Sequence, residues 1–194
     1  MRRSSRALKR LIWRAWHCLV VDGADRIHAG AGDDTVVLNA DNVAQLTEAG
    51  SAIWVDGGAG LDRLVLDASL PASIQLDLTR LIVGERLTGF EHIDITGQGD
   101  NRLDLNVSDV LASGLSAAAA GAVDDLQHTH VLRVDGNVGD VVRLSQALDD
   151  GVVGGHWQAG SALSVDRVSY HAFEFTGNSS VQVWVNSAME AVLL

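Results

Sequence analysis

Residues 29–37 read Ala-Gly-Ala-Gly-Asp-Asp-Thr-Val-Val, and residues 57–65 read Gly-Gly-Ala-Gly-Leu-Asp-Arg-Leu-Val. Both follow the pattern G-G-x-G-x-D-x-U-x, where U is a large apolar residue; Ala29 replaces the first glycine of the earlier copy. The pattern holds a turn, an oxygen ligand and a core-facing strand position within one short repeat. Laying Gly23–Ala31 on Gly32–Ala40 repeats it, with Gly23 on Gly32, Asp25 on Asp34 and Ile27 on Val36. Each unit predicts one turn and one short strand, and two units close one flattened coil. Ile27, Val36 and Leu64 then face inward as a ladder, with flanking polar residues outward, because side chains alternate along a strand.

The second good copy starts 28 residues after the first, counted from Gly30 to Gly58. One coil of two repeats accounts for about 18 of these, which leaves an insertion. Residues 39–50 supply it as a short helix capped by Asp41 and ended by Gly50, and Ser51–Val55 returns the chain. The two turns then lie on one edge, about one strand spacing apart, or ~4.8 Å.

Farther along, Thr96-Gly-Gln-Gly-Asp-Asn-Arg-Leu is a weaker echo that keeps Gly97 and Gly99 but has Asn101 in the carboxylate position. Ile74–Leu78, Ile93–Ile95 and Leu103–Leu105 alternate as strands, and Pro71 sits in a turn. From Ser108 the pattern changes to a short helix and the alanine run 117–120. Strands resume at Val131–Val134, Val141–Leu144, Ala162–Val165, Val168–Phe175 and Val181–Val185. Asp135-Gly136, Gly154-Gly155 and Gly177-Asn178 supply turns, and the last two strands form an antiparallel hairpin. Trp157, Tyr170, Phe173, Phe175 and Trp184 gather here to close the end of the core. The fold expected is all-β. Residues 22–107 form a short parallel β-roll or β-solenoid, and residues 108–194 a β-rich, partly antiparallel cap. Residues 1–21 form a basic segment.

Charge follows this division. Residues 1–20 carry six of the 14 cations and no acid, leaving eight cations against all 25 acids in the rest, a net of −17. Twenty of the acids are Asp and five are Glu, a bias that suits turns and hard cations. An acidic body excludes the cationic footprint that nucleic acid requires. With 47% hydrophobic residues in 194 the chain can bury a sizeable core, and no apolar run is long enough to cross a bilayer. Cys18 stands alone, so no internal disulfide forms. Read as a helix, the N-terminal segment places Leu8, Leu11, Ile12, Trp16 and Leu19 on one face; such a helix caps the open end of a repeat or lies on a membrane surface.

Calcium takes six to eight oxygens with irregular geometry. Glycines in a G-x-G-x-D turn aim consecutive carbonyls at one point, and the aspartate adds a carboxylate. One turn supplies about half a shell, so two stacked turns are needed. Gly30, Gly32 and Asp34 with Gly58, Gly60 and Asp62 make one candidate site, and the plainer alternative is a glycine-rich turn without metal. Asp22 and Asp25 face no matching carboxylate, since Val43 falls at that position.

These residues resemble the RTX family, the hemolysin-type calcium-binding repeats of bacterial proteins exported by type I secretion. The stretch from Thr88-Gly-Phe-Glu-His-Ile-Asp-Ile-Thr-Gly-Gln-Gly-Asp-Asn-Arg-Leu-Asp-Leu through Leu132-Arg-Val-Asp-Gly-Asn-Val-Gly-Asp and on to Val185 resembles the terminal regions of large RTX-type surface adhesins. The resemblance implies a non-catalytic, secreted or cell-surface module that binds calcium ions and cell-surface or matrix ligands. Such a module folds on meeting calcium outside the cell. Two rival readings are a secreted β-helical polysaccharide-active enzyme and a metal-free structural fragment. The first rests on Asp77, Asp94 and Asp104 forming an outward acidic stripe near Arg102 and Arg133, for which a solvated sheet face is the plainer account. His128 and His130 share a strand face that would suit zinc, although bare surface histidines are commoner.

Overall fold

The computed structural model of the protein describes residues 11–14, 18–20, 26–48, 51–67, 73–80, 86–113, 130–146 and 154–194. These are strand-rich, with two short helices. One four-stranded sheet, parallel throughout, is built from β1 (Leu11–Arg14), β3 (Arg26–Ala31), β5 (Trp54–Ala59) and β8 (Leu87–Thr88) in that order. A second parallel sheet runs β7 (Gln75–Asp77), β10 (Arg102–Leu105), β12 (Val141–Leu144) and β16 (Glu190–Leu193). The third sheet has eight strands and is mixed. It starts with β2 (Cys18–Val20), β4 (Thr35–Leu38), β6 (Arg63–Leu66), β9 (His92–Asp94), β11 (His130–Asp135) and β15 (Asn178–Asn186), all in parallel pairs. It ends with β14 (Val168–Phe175) and β13 (Trp157–Val165), which pair antiparallel.

The apolar columns dictate this register. Ile27 pairs with Val55 and Val55 with Leu87 in the first sheet. Val36, Leu64, Ile93 and Val134 follow one another across the third, and Leu76, Leu103 and Val142 across the second. All are buried, and residues from the three sheets join one continuous core. A one-residue slip in any strand would turn its apolar set to solvent, so burial fixes the pairing. Ile27, Val36 and Leu64 all face inward as expected, but not as one ladder: Val36 stacks on Leu64 in the third sheet, whereas Ile27 stacks on Val55 in the first, each pair offset by 28 residues.

The insertion that creates this offset is helix α1 (Ala40–Thr47). Its cap is Asn39 rather than the expected Asp41. Asn39 Oδ1 accepts from the Asn42 N–H and Asn42 Oδ1 from the Asn39 N–H, each at 3.0 Å. The helix stops at Glu48, where Arg86 Nη1 donates to the carbonyls of Leu46 at 2.7 Å and Glu48 at 2.6 Å. Helix α2 (Val107–Ser113) opens on the same device, with Asn106 and Asp109 exchanging hydrogen bonds of 2.7 and 3.0 Å.

Leu11–Arg14 and Cys18–Val20 are strands, not parts of a helix. They lie parallel on β3 and β4, whose free edges offer unpaired backbone groups that a helix would leave unsatisfied. The rest of the basic segment, the Asp22–Asp25 echo, Pro71, the alanine run 117–120 and His128 lie outside the described residues. Among the described residues no helix is long and apolar enough to cross a membrane.

At the far end the aromatic residues divide between two faces. Trp157, Phe173 and Phe175 belong to the main core, with Trp157 edge-on to Phe175 at 5.3 Å. Tyr170 and Trp184 form a small second cluster with Val131, Val165 and Ala172 on the opposite face. The expected β14–β15 hairpin is present. The preceding one turns at Asp166 and Arg167, with φ of 52° and 71°, and carries no glycine to announce it.

Candidate metal centre

The two motif turns stack in register. Gly30 pairs with Gly58 and Ala31 with Ala59 on one side of the turn, and Thr35 with Arg63 on the other. Gly30 and Gly58 take φ of 114° and 101°, in the left-handed region that side chains disfavour. A methyl on Gly58 would stand 2.1 Å from the Gly30 carbonyl oxygen, and one on Gly60 would stand 2.2 Å from that of Gly32. The first turn therefore presses its carbonyls against the bare backbone of the second. The six motif residues thus stack pairwise, Gly30 on Gly58, Gly32 on Gly60 and Asp34 on Asp62.

The aspartates form a ladder. The Asp34 N–H donates to Asp62 Oδ1 at 2.8 Å, and the Asp62 N–H donates to Glu91 Oε2 at 2.8 Å. Each acid caps the backbone of the turn before it. Asp33 acts in the other direction, its Oδ1 accepting from the Leu61 N–H at 2.9 Å. Asp34, Asp62 and Glu91 are 1%, 0% and 4% exposed. Burial, followed by the nearby charges of Asp34, Asp33 and Asp56, pushes the Asp62 carboxyl up to about 6 against the hydrogen bond from Asp34. Burial, with the charges of Asp62 and Asp33, pushes Glu91 up to about 7. Among the described residues neither Asp62 nor Glu91 has a cationic partner, and Asp62 Oδ2 is buried without a hydrogen bond. An unpaired buried carboxylate is costly.

A second ladder repeats the arrangement between the other strand ends. The Ile74 N–H donates to Asn101 Oδ1 at 2.8 Å, and the Asn101 N–H to Asp140 Oδ1 at 2.7 Å. Asn101 also donates from Nδ2 to the Ile95 carbonyl at 2.9 Å, so both ends of the amide are engaged by the fold. Burial pushes Asp140 up, opposed by the N–H groups of Asn137 and Asn101.

The first ladder brings hard oxygens together, carboxylates and glycine carbonyls, beside the backbone N–H groups those carboxylates accept from, and leaves Asp62 Oδ2 buried without a hydrogen bond. That donor set fits calcium, and two stacked turns bring enough backbone oxygens to supplement the side chains. Among the described residues no group of three or more His, Cys, Asp or Glu side chains is arranged to hold a metal, so backbone carbonyls have to complete any shell.

Sequence reasoning missed Glu91 and Asp140. Both were within reach of a shorter pattern. Gly89-Phe90-Glu91-His92-Ile93 keeps the spacing of Gly60-Leu61-Asp62-Arg63-Leu64 with glutamate for aspartate, and Asp140-Val141-Val142 keeps the acid–x–apolar core.

The proposed acidic stripe does not assemble. Asp77 and Asp104 are paired neighbours in the second sheet, whereas Asp94 lies in the third beside Asp135. Asp94 forms an ion pair with Arg63. Asp104 meets Arg102 Nε at 2.9 Å, Arg143 Nε at 3.7 Å and Gln75 Nε2 at 3.0 Å. Both are largely buried, so neither forms a solvated face.

Asp135 is the hub of a separate network on the outer face of the third sheet. It accepts from Tyr170 Oη at 2.7 Å and Asn186 Nδ2 at 3.2 Å, and meets His92 Nε2 at 2.6 Å. Burial alone would raise its carboxyl. The hydrogen bonds from His92 and Tyr170, with the charge of Arg133, outweigh that and hold it well below the usual carboxylate range. Burial and the bond to Asp135 raise the Tyr170 phenol above its ordinary value.

Comparison of the chain with protein-family models, curated proteins and solved structures gave no match.

Proposed function

We propose that this chain is a calcium-stabilised β-solenoid module with an antiparallel cap, serving a secreted or cell-surface protein as a non-catalytic structural or adhesive unit. The observation that carries the reading is the stacking of two G-x-G-x-D turns, with the Asp34 N–H 2.8 Å from Asp62 Oδ1 and Asp62 Oδ2 left without a hydrogen bond. The parallel pairs across three sheets, and the single core they share, support a coil of successive turns. Buried acids without cationic partners oppose folding when calcium is scarce. Extracellular modules hold calcium with dissociation constants of about 10⁻⁴–10⁻³ M, and binding to the folded state alone stabilises it. Export unfolded and folding outside follow from that coupling.

The test is far-ultraviolet circular dichroism with calcium and with chelator, on the wild type and on an Asp34→Ala, Asp62→Ala double variant. Calcium should raise the β signal of the wild type and not that of the variant. A wild-type spectrum and melting curve indifferent to chelation would count against the reading. The competing enzymatic reading has little to draw on, because Asp94 and Asp104 are each committed to arginines.

A further inference from the structure

The two motif copies differ at their first position, where Ala29 stands in one and Gly57 in the other. Ala29 is buried, 1% exposed. A methyl on Gly57 would stand 1.9 Å from the Gly89 carbonyl oxygen and 2.9 Å from Asp62 Oδ2. The Gly89 carbonyl and the Asp62 carboxylate therefore both pack directly on Gly57, which brings the two oxygens close to one another. Asp62 Oδ1 is committed to the first turn through the Asp34 N–H, while Oδ2, in a residue 0% exposed, has no hydrogen-bond partner. On the far side the Glu91 carboxylate, itself buried, reaches the Asp62 N–H at 2.8 Å. The junction after the second turn thus gathers a free carboxylate oxygen, a second carboxylate and a backbone carbonyl. All are hard donors of the kind that divalent cations of calcium type prefer.

We propose that Asp62, Glu91 and the Gly89 carbonyl form a cation seat between the second turn and the shorter one at Gly89–Glu91, next to the motif pair Asp34–Asp62. This rests on the reading of the stacked turns as calcium-responsive, and it adds a ligand, Glu91, from a segment that lacks the glycine-rich loop. A cation bound there would favour the charged form of both buried carboxyls, which no cationic side chain among the described residues faces.

Calorimetric titration of the full chain with calcium, on the wild type, Asp34→Asn and Glu91→Gln, tests this. Glu91→Gln keeps nearly the same shape and an oxygen that can still accept from the Asp62 N–H, while removing one of two adjacent charges. Its melting temperature in chelator should match or exceed that of the wild type, which shows that it folds. The wild type is expected to bind two ions, and Glu91→Gln to lose one or to bind it at least tenfold more weakly. Asp34→Asn should retain the ion that Glu91→Gln loses. If the wild type binds a single ion, its loss in Glu91→Gln and survival in Asp34→Asn supports this seat, and the reverse pattern overturns it. Wild-type stoichiometry and affinity in Glu91→Gln overturn the inference while leaving the motif site standing. No calcium binding by the wild type overturns both.

Discussion

Asp135 shows how one side chain can fasten two parts of the fold. Tyr170 reaches it from the antiparallel end, His92 from the neighbouring parallel strand and Asn186 from β15. A hydrogen bond to a charged group is worth about 1.5–3 kcal/mol. Tyr170→Phe should therefore lower unfolding free energy by about that amount in urea titrations at neutral pH. The pH dependence has a definite sign. The folded carboxyl titrates below its unfolded value, so the native state binds fewer protons than the unfolded chain through the acid range. The stabilisation is fully present above about pH 4 and is lost as pH falls below it. The stability gap between wild type and Asp135→Asn should thus be wide at pH 7 and narrow progressively below pH 4. A gap independent of pH would show that Asp135 acts through shape alone. Little of this was legible beforehand. His92, Asp135 and Tyr170 are separated by 43 and 35 residues in their contacts, and only the strand register brings them together. Glu91 escaped notice for a different reason: its segment keeps Gly89 and the acid–x–apolar spacing but has Arg86 and Leu87 where the motif has its first two glycines.

At the level of single elements, strands were readable wherever one face is buried, because alternation is then enforced by the core. Ile93, Leu103 and Val183 sit as their patterns require. Elements shaped by backbone geometry were less so. The Asp166–Arg167 turn adopts positive φ without glycine or asparagine, and β1 and β2 take strand form beside β3 and β4 despite an amphipathic helical pattern. Two predictions belong here. Leu64, 1% exposed in the middle of its column, should cost about 2–5 kcal/mol when truncated to alanine, seen as a lower denaturant midpoint with little change in slope. Asn39→Ala breaks the reciprocal cap of α1 and should cost about 1 kcal/mol. Because α1 sets the 28-residue offset that superposes the motif turns, this variant should also weaken calcium binding although Asn39 is outside the ladder.

Across the whole molecule, the apolar columns and the acid ladders run in the same direction, from strand to neighbouring strand. Apolar burial favours stacking, while the ladder concentrates negative charge along one line of turns. The parallel strand order and the stacked turns were legible in the sequence because both follow from the repeat spacing. The antiparallel completion of the third sheet was only partly so, since β13 turns back through a hairpin without a turn signature. In the proposed reading, calcium acts on this balance between burial and charge. Ligand at 100 times its dissociation constant adds about 2.7 kcal/mol to the folded state, enough to decide the outcome for a domain of ordinary stability.

The most direct measurement is the melting temperature of the metal-free chain as calcium is added from micromolar to millimolar concentrations at constant ionic strength. The account predicts a rise that grows with the logarithm of calcium once the dissociation constant is passed, is not reproduced by sodium at matched ionic strength, and is absent from the Asp34→Ala, Asp62→Ala variant. A melting temperature that stays constant across that range, or that rises equally in the double variant, would contradict it.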